Sequence, residues 1–353
     1  MNHIYTRLLE SCKKGSVSVL ATIVRQAGPS PRGAGSKCLI MDDGSFTGTV
    51  GGGIIEARTL EQATKVFDTG LPVRLKFSLD GSDVAETDML CGGQVEIFLE
   101  PVSPENLICF SILREITRII NHGGAGLLAT VLDEDRWKQG KCKMFLDRDG
   151  DITGRLAGTR EFEKAISAKM ERVLAARQPE ILHLQDDKGN PVEVFVEPIL
   201  SDPVLYVFGG GHVSRQIVPL ARRVGFQVVV IDDREEFASV ERFPTATEVR
   251  LLPLEGVLDK IVVDESSYLV IVTRGHVHDK SVLAQALKTN ARYIGMIGSS
   301  RKTAIIHEKL LEEGFTEANF SRVHAPIGLE IGAETPAEIA VSIVAELIKV
   351  RAG

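Results

Sequence analysis

Residues 203–232, PVLYVFGGGHVSRQIVPLARRVGFQVVVID, decide the architecture of the C-terminal part of the chain. VLYVF is an uninterrupted apolar run of strand length, GGGHVS is a turn, RQIVPLARRVG has helical spacing, and QVVVID is a second apolar run. A strand, a glycine turn, a helix and a strand of the same kind make a βαβ unit with parallel strands. The alternation continues through SYLVIVT, DKSVLAQALKTN, ARYIGMIG, RKTAIIHEKLLEEG and TPAEIAVSIVAELIKV. It predicts an α/β fold over residues 202–353, a Rossmann-like doubly wound parallel sheet.

Within that stretch, Gly209-x-Gly211-x-x-Ser214 follows a strand and opens a helix, and Asp232 ends the next strand 23 positions after Gly209. Glycines let backbone amides approach a phosphate, and a helix N-terminus favours its charge. Serine at the third position leaves less room for close packing than glycine would. Asp232 reads either as the ribose contact of a nucleotide, NAD(P) or FAD, or as part of an Asp-Asp-Arg structural cap. Ligands of such sheets bind outside the carboxyl ends of the strands. Polar residues gather at those ends: His212, then Arg274, His276, His278 and Asp279, then Ser299, Arg301 and Lys302. GSSRK opens a helix with two cations and predicts a second anion contact. His276 and His278 have no cysteine or carboxylate pattern beside them, so satisfied loop histidines are a simpler reading than a zinc site.

The preceding residues contain a weak repeat. VLATIV is matched by LLATVL, KCLIMDDGSFTGTVGGG by KMFLDRDGDITGRLAGT, and VEIFLEPV by VEVFVEPI, so that Lys37 stands opposite Lys143 and Gly48 opposite Gly154. Each copy predicts strand, strand, strand, helix, strand, strand, an α+β unit. The expected domains are residues 1–104, 105–201 and 202–353, with the linker to the last near Ser201 to Pro203.

The copies differ in loops. Lys37 to Val95 spans 58 positions and Lys143 to Val192 only 49; the surplus holds DMLCGG, with Cys91, Gly92 and Gly93. The first copy also has SPRGAG around Arg32 and a turn Gly51-Gly52-Gly53 followed by Glu56, where the second copy has DEDRWKQG and LAGTREF. Functional residues concentrate on loops, so copy one is expected to carry the site and copy two to be scaffold. Arg32 can grip a phosphate or carboxylate bidentately. The triple glycine lets backbone approach a ligand, and Glu56 reads equally as a helix-dipole partner or as an acceptor for a guanidine-like ring edge. Cys91, as thiolate, is a candidate metal ligand or sulfur carrier, its bland alternative being a small packed residue. Cys12, Cys38, Cys109 and Cys142 sit in packing patterns.

A length of 353 residues predicts more than one domain. A net charge of -7 without a basic, aromatic-rich run argues against nucleic acid as a partner. No apolar run reaches membrane-spanning length, and the N-terminus lacks a signal-peptide core, so a cytoplasmic location without membrane contact is expected. Five cysteines without any CxxC suit neither a disulfide framework nor an iron–sulfur site.

SPRGAGSK, GTVGGGIIE, LCGGQVEIFLEP, GGGHVS, RGHVHD, YIGMIGSSRK and HAPIGLEIGAETPAEIAVSI together resemble the XdhC/CoxI family of accessory proteins to molybdenum-containing xanthine dehydrogenases and related hydroxylases. Residues 105–200 carry little of the resemblance. It implies binding of the molybdenum cofactor (molybdopterin), help with its sulfuration, and insertion into an apo molybdenum hydroxylase. It also implies Cys91 as the chemically active and metal-contacting residue. A sulfur-transfer enzyme as second partner and a homo-oligomeric state are further expectations. The alternative is an NAD(P)- or FAD-dependent oxidoreductase, or a component of a purine-oxidising xanthine dehydrogenase complex.

Overall fold

The structure is a computed structural model that describes residues 2–78, 93–138, 140–156 and 160–352. Two compact units divide it, Met1–Ser201 and Asp202–Gly353.

In the first unit, copy one consists of α1 (Asn2–Lys13), β1 (Ser18–Ala27), β2 (Lys37–Met41), β3 (Phe46–Gly48), α2 (Gly53–Thr69), β4 (Val73–Ser78) and β5 (Gln94–Val102). Copy two consists of α3 (Leu107–His122), β6 (Ala125–Val131), the single turn α4 (Glu134–Trp137), β7 (Cys142–Asp147), β8 (Ile152–Leu156), α5 (Arg160–Ser167), α6 (Met170–Ala176), β9 (Glu180–Gln185) and β10 (Pro191–Leu200). Each forms an antiparallel five-stranded sheet, in the orders β3-β2-β1-β5-β4 and β8-β7-β6-β10-β9. The two orders are equivalent strand for strand, and the duplicated architecture is thereby present in three dimensions.

The repeat is longer than sequence matching shows, because α1 and α3 are also equivalent. Ile4 and Leu8 on α1, and Ile112, Ile116 and Ile119 on α3, recur every three or four residues and are buried in one core with Leu39 of copy one and Phe145 of copy two. Each helix also seals a matching glycine. A Cβ on Gly48 would lie 3.0 Å from Ile4 Cδ1 and collide with the Lys37 carbonyl; one on Gly154 would lie 2.8 Å from Ile112 Cδ1 and 2.6 Å from the Lys143 carbonyl. Both glycines have positive φ, 92° and 85°, so no side chain suits either position.

Two buried ion pairs join the copies reciprocally. Lys37 Nζ of copy one lies 2.6 Å from Glu197 Oε2 of copy two, and Lys143 Nζ of copy two lies 2.8 Å from Glu100 of copy one. Each lysine and each glutamate is the repeat equivalent of the other, so the pairs are related by a local pseudo-twofold. Burial would lower the Lys143 pKa, but Glu100 and the other acidic neighbours together raise it, whereas at Glu100 burial prevails over Lys143 and pushes the carboxyl up. Beside the pairs, Val24 and Phe98 of copy one pack with their equivalents Leu132 and Phe195 of copy two.

The second unit contains β11 (Val204–Phe208), α7 (His212–Arg223), β12 (Gln227–Asp232), β13 (Glu248–Leu251), a 3₁₀ turn (Val257–Lys260), β14 (Ser267–Ile271), α8 (His276–Ala286), β15 (Tyr293–Met296), α9 (Ser300–Glu312), α10 (Glu317–Phe320), β16 (Val323–His324) and α11 (Pro336–Ala352). All six strands are parallel, in the order β13-β12-β11-β14-β15-β16. Side chains alternate across the sheet: Leu205 and Val207 share a core with Ile217 of α7 and Ile343 of α11, whereas Tyr206 and Phe208 share the opposite one with Val282 of α8 and Ile306 of α9. This is the doubly wound arrangement the sequence predicts. The order reverses between β11 and β14, the position at which such folds take ligands.

The reciprocal pairs yield a stability prediction. Glu197→Ala leaves Lys37, whose side chain is 1% exposed, buried without its counter-ion, and is expected to cost about 3–5 kcal/mol. Replacing both partners by apolar residues, Lys37→Met with Glu197→Leu, is expected to recover most of that loss. Urea unfolding of the wild type and both variants measures the difference.

Candidate functional site

Strand register brings the loops peculiar to copy one to one end of its sheet. Ala27 at the end of β1 faces Gln94 at the start of β5, Thr22 faces Lys37 at the start of β2, and Cys38 faces Gly48 at the end of β3. The Arg32 loop, the glycine turn and the approach to β5 must therefore emerge together. They lie side by side: a Cβ on Gly51 would come within 4.0 Å of the Pro31 side chain, and one on Gly93 would meet the Ala27 carbonyl at 2.9 Å and collide with that of Pro29. Gly93 is thus required by close approach. Cys91 and Gly92 lie outside the described residues.

Gly51, Gly52 and Gly53 have successive φ of 133°, 75° and 53°, a run that only glycine adopts without strain. A Cβ on Gly52 would meet nothing within 4 Å, so the turn borders open space at the start of α2. Thr49 fixes the turn to the helix: its hydroxyl accepts a bond from the Gly51 N–H at 3.2 Å and donates to Glu56 Oε1. Arg32 is exposed, and its carbonyl accepts from the Ser30 hydroxyl at 2.9 Å.

Copy two supplies one wall beside these loops, a contribution hidden when it is read as scaffold alone. A cleft of about 470 Å³ is lined by Arg25, Gln26 and Ala34 from copy one and by Glu180, His183 and Glu193 from copy two. Arg25 Nη2 lies 2.7 Å from Glu193, and Arg74 bridges Glu193 at 2.6 Å to Glu96, the repeat equivalent of Glu193. Partial burial would raise the Glu193 pKa, but the two guanidiniums lower it below the ordinary glutamate value. The shared VE in VEIFLEP and VEVFVEP was the available signal. At the corresponding loops of copy two, Arg136 and Asp186 close an ion pair at 2.7 Å, and Trp137 packs on Phe98 with ring centroids 5.7 Å apart.

In the second unit three helices, α7, α8 and α9, start at the carboxyl ends of strands. Exposed His212 and His276 are the first residues of α7 and α8. Cβ atoms on their cap residues Gly211 and Gly275 would meet nothing within 4 Å. Ser299 caps α9, its hydroxyl accepting from Lys302 N at 3.3 Å, and Arg301 is exposed beside it. Gly209 has φ 110°, and a Cβ there would come within 2.5 Å of the Val272 carbonyl, so this glycine serves close packing of β11 against β14.

Three residues read as ligand contacts are engaged by the protein itself. Ser214 is fully buried and donates to the Gly209 carbonyl, bracing the turn. Asp232 is 2% exposed and accepts from Gly210 N at 2.7 Å and from Arg234. Burial would raise its pKa, but these donors lower it. Lys302 Nζ pairs with the fully buried Asp279 and donates to the Ile297 carbonyl at 3.2 Å. Asp279 also accepts from the Thr273 hydroxyl at 2.6 Å, so Lys302 staples the end of β15 to the loop after β14. Arg274, by contrast, lies exposed, 3.1 Å from Asp233 and 3.4 Å from His278 Nε2.

Among the described residues no three His, Cys, Asp or Glu side chains gather to hold a metal. Cys12, Cys38, Cys109 and Cys142 are all buried. Burial raises the thiol pKa of each, to about 12 for Cys38 and Cys109 and about 11 for Cys142. Lys302→Met is expected to act on stability by leaving Asp279 uncompensated, a loss of about 2–3 kcal/mol. Thermal unfolding shows it as a lowered Tm, and titration with inorganic phosphate is expected to show no comparable change in affinity.

Comparisons with known proteins agree in both units. Residues 12–78 match the XdhC and CoxI family, and residues 205–347 match the XdhC Rossmann domain. The uncharacterized protein YqeB of Escherichia coli (strain K12) is 30% identical over 221 residues, 60% of this chain and 40% of that protein, so the chain spans less than half of that relative. A probable xanthine dehydrogenase subunit from Bacillus subtilis (strain 168) is 26% identical across 99% of this chain and 98% of its own. The molybdenum cofactor insertion chaperone PaoD of Escherichia coli (strain K12) is 20% identical across 97% and 86%. A crystal structure of a xanthine dehydrogenase from Bacillus halodurans superposes with a TM-score of 0.78 at 25% identity, covering 98% of this chain and 95% of that one. With both units matched and their order preserved in full-length relatives, the chain belongs to the XdhC and CoxI family.

Proposed function

We propose that this chain binds the molybdenum cofactor as cargo and serves its maturation and insertion into an apo molybdenum hydroxylase of the xanthine dehydrogenase type. The observation that carries the reading is the meeting of the Arg32 loop, the Gly51–Gly53 turn and Gly93 at one end of a sheet, beside a cleft walled by copy two. The names of two relatives point the same way, one a cofactor insertion chaperone and the other a probable component of a xanthine dehydrogenase.

The residues suit the chemistry of that cargo. A pyranopterin has an amide and amino edge that donates hydrogen bonds, a phosphate, and a dithiolene end that carries the metal. Glu56 has one carboxylate oxygen held by Thr49, which orients the other to accept from the pterin edge. The glycine turn offers backbone N–H groups with space beside Gly52 for the phosphate. Arg32 adds an exposed cation at the rim, and its fork matches a phosphate bidentately. Cys91, next to Gly92 and Gly93 in sequence, is assigned the thiolate contact to the metal end, where sulfur is also exchanged. In the second unit, Gly211, His212, His276 and Arg301 surround the helix N-termini and supply a further anion contact. The apo hydroxylase receives the cargo, and a sulfur-transfer enzyme is the second partner this chemistry calls for.

Isolated molybdenum cofactor mixed with the chain, followed by gel filtration and metal analysis, tests the reading, and activation of an apo hydroxylase provides the second measurement. Arg32→Ala is expected to leave stability within about 0.5 kcal/mol of wild type and to weaken cofactor binding about tenfold, the loss of one charge-assisted contact. Cys91→Ser is expected to reduce both retention of the metal and activation of the hydroxylase. Wild-type retention and activation in both variants would overturn the proposal.

A further inference from the structure

The second unit has the glycine turn and the acidic strand end of a dinucleotide site, yet its acid is arranged unlike that of one. A dinucleotide in such a fold rests its pyrophosphate on the glycine turn and its ribose hydroxyls on the acid ending the second strand. That acid must keep acceptor capacity for the sugar. A carboxylate offers about four lone-pair positions.

All four of those positions at Asp232 are filled from within the chain. Oδ2 accepts from Gly210 N at 2.7 Å and Arg234 Nη2 at 3.0 Å; Oδ1 accepts from Arg234 Nε at 2.9 Å and Arg234 N at 3.0 Å. The lock has a second layer. The Arg234 guanidinium lies 3.6 Å from the centroid of the Phe237 ring, and the Arg242 guanidinium lies 4.8 Å from the same ring. Arg242 Nε then donates to the Gly210 carbonyl at 2.7 Å. Gly210 thus has both backbone groups bound by residues 232–242, and a Cβ there would stand 2.9 Å from the Phe237 carbonyl carbon. The segment after β12 closes over the glycine turn where the ribose of a nucleotide would enter.

We infer that the second unit excludes NAD, NADP and FAD because Arg234 occupies the carboxylate that would hold their ribose, and that Arg234 is the residue setting this specificity. The space beside Gly211 and Gly275 remains open to an anion that brings no sugar diol to Asp232. A ribose would have to displace a bidentate arginine that is also stacked on an aromatic ring, exchanging two bonds in which donor and acceptor are both charged, together with the stack, for hydroxyl bonds in which only the carboxylate is charged. An arginine at this position can instead grip the 2′-phosphate of NADP, but here its Nε and Nη2 both face Asp232. The inference concerns the second unit alone, so it stands or falls separately from cofactor loading at the N-terminal loops.

Calorimetric titration of the full chain with NAD, NADP and FAD tests it. The wild type is expected to show no saturable binding of any of the three up to about 1 mM. Arg234→Ala is expected to gain NAD binding at least tenfold tighter than the wild type, and Arg234→Ala combined with Asp232→Asn to lose the gain. Arg234→Met keeps an apolar stem over Phe237 and serves as the second opening variant, with circular dichroism verifying the fold of each. Saturable wild-type binding of any of the three with a Kd below about 1 mM would overturn the inference. So would the absence of any gain in folded Arg234→Ala and Arg234→Met.

Discussion

The pairing of Lys37 with Glu197 and of Lys143 with Glu100 constrains everything else in the first unit. Placing four charges in a protein interior carries a large desolvation cost, which is offset only when each charge meets its partner at contact distance. Since each copy contributes one lysine and one glutamate, neither sheet can shift along the other without separating both pairs. The geometry is that of a homodimer interface enclosed within one chain, where a residue and its counterpart exchange the same contact. The flanking apolar quartet of Val24, Phe98, Leu132 and Phe195 repeats the symmetry without charge.

Holding the strands in this way leaves the loops free to diverge, and they have done so in opposite senses. In copy one the turn at Gly51 to Gly53 opens onto space. In copy two the Arg136–Asp186 pair draws the equivalent loops together, and Trp137 packs across onto copy one. Copy two carries Glu193, which binds Arg25 and Arg74 beside the loops of its twin. Among the described residues, copy one thus presents the open turn and copy two adds a supporting wall beside it.

Most of this organisation is legible in the sequence because periodicity reports burial. Continuous apolar runs mark the central parallel strands, and the glycine turn after VLYVF marks the switch region. The edge strands β13 and β16, of four and two residues, leave no such run and escape a reading by pattern. The equivalence of α1 and α3 is also hidden, since a helix packs by shape on one face and little residue identity is needed to cover Gly48 and Gly154 alike. Motif spacing finds the copy-one loops, while their meeting depends on strand register. Ser214, Asp232 and Lys302 read as ligand contacts because residue type at a motif position does not reveal whether a neighbour already holds the polar atoms. Ser214 is held by the Gly209 carbonyl within the same motif, Asp232 by Arg234 and Lys302 by Asp279, contacts that only the folded chain displays.

For the cargo proposed above, the buried cysteines bear on where metal and sulfur can go. Molybdenum and transferable sulfur both seek thiolates, and any surplus thiolate is a competing destination for them. Cys12, Cys38, Cys109 and Cys142 are withdrawn from that competition by position, and their raised pKa values keep them protonated near neutral pH. Packing in the N-terminal unit thus withdraws four of the chain's five cysteine sulfurs from contact with reagents in solvent.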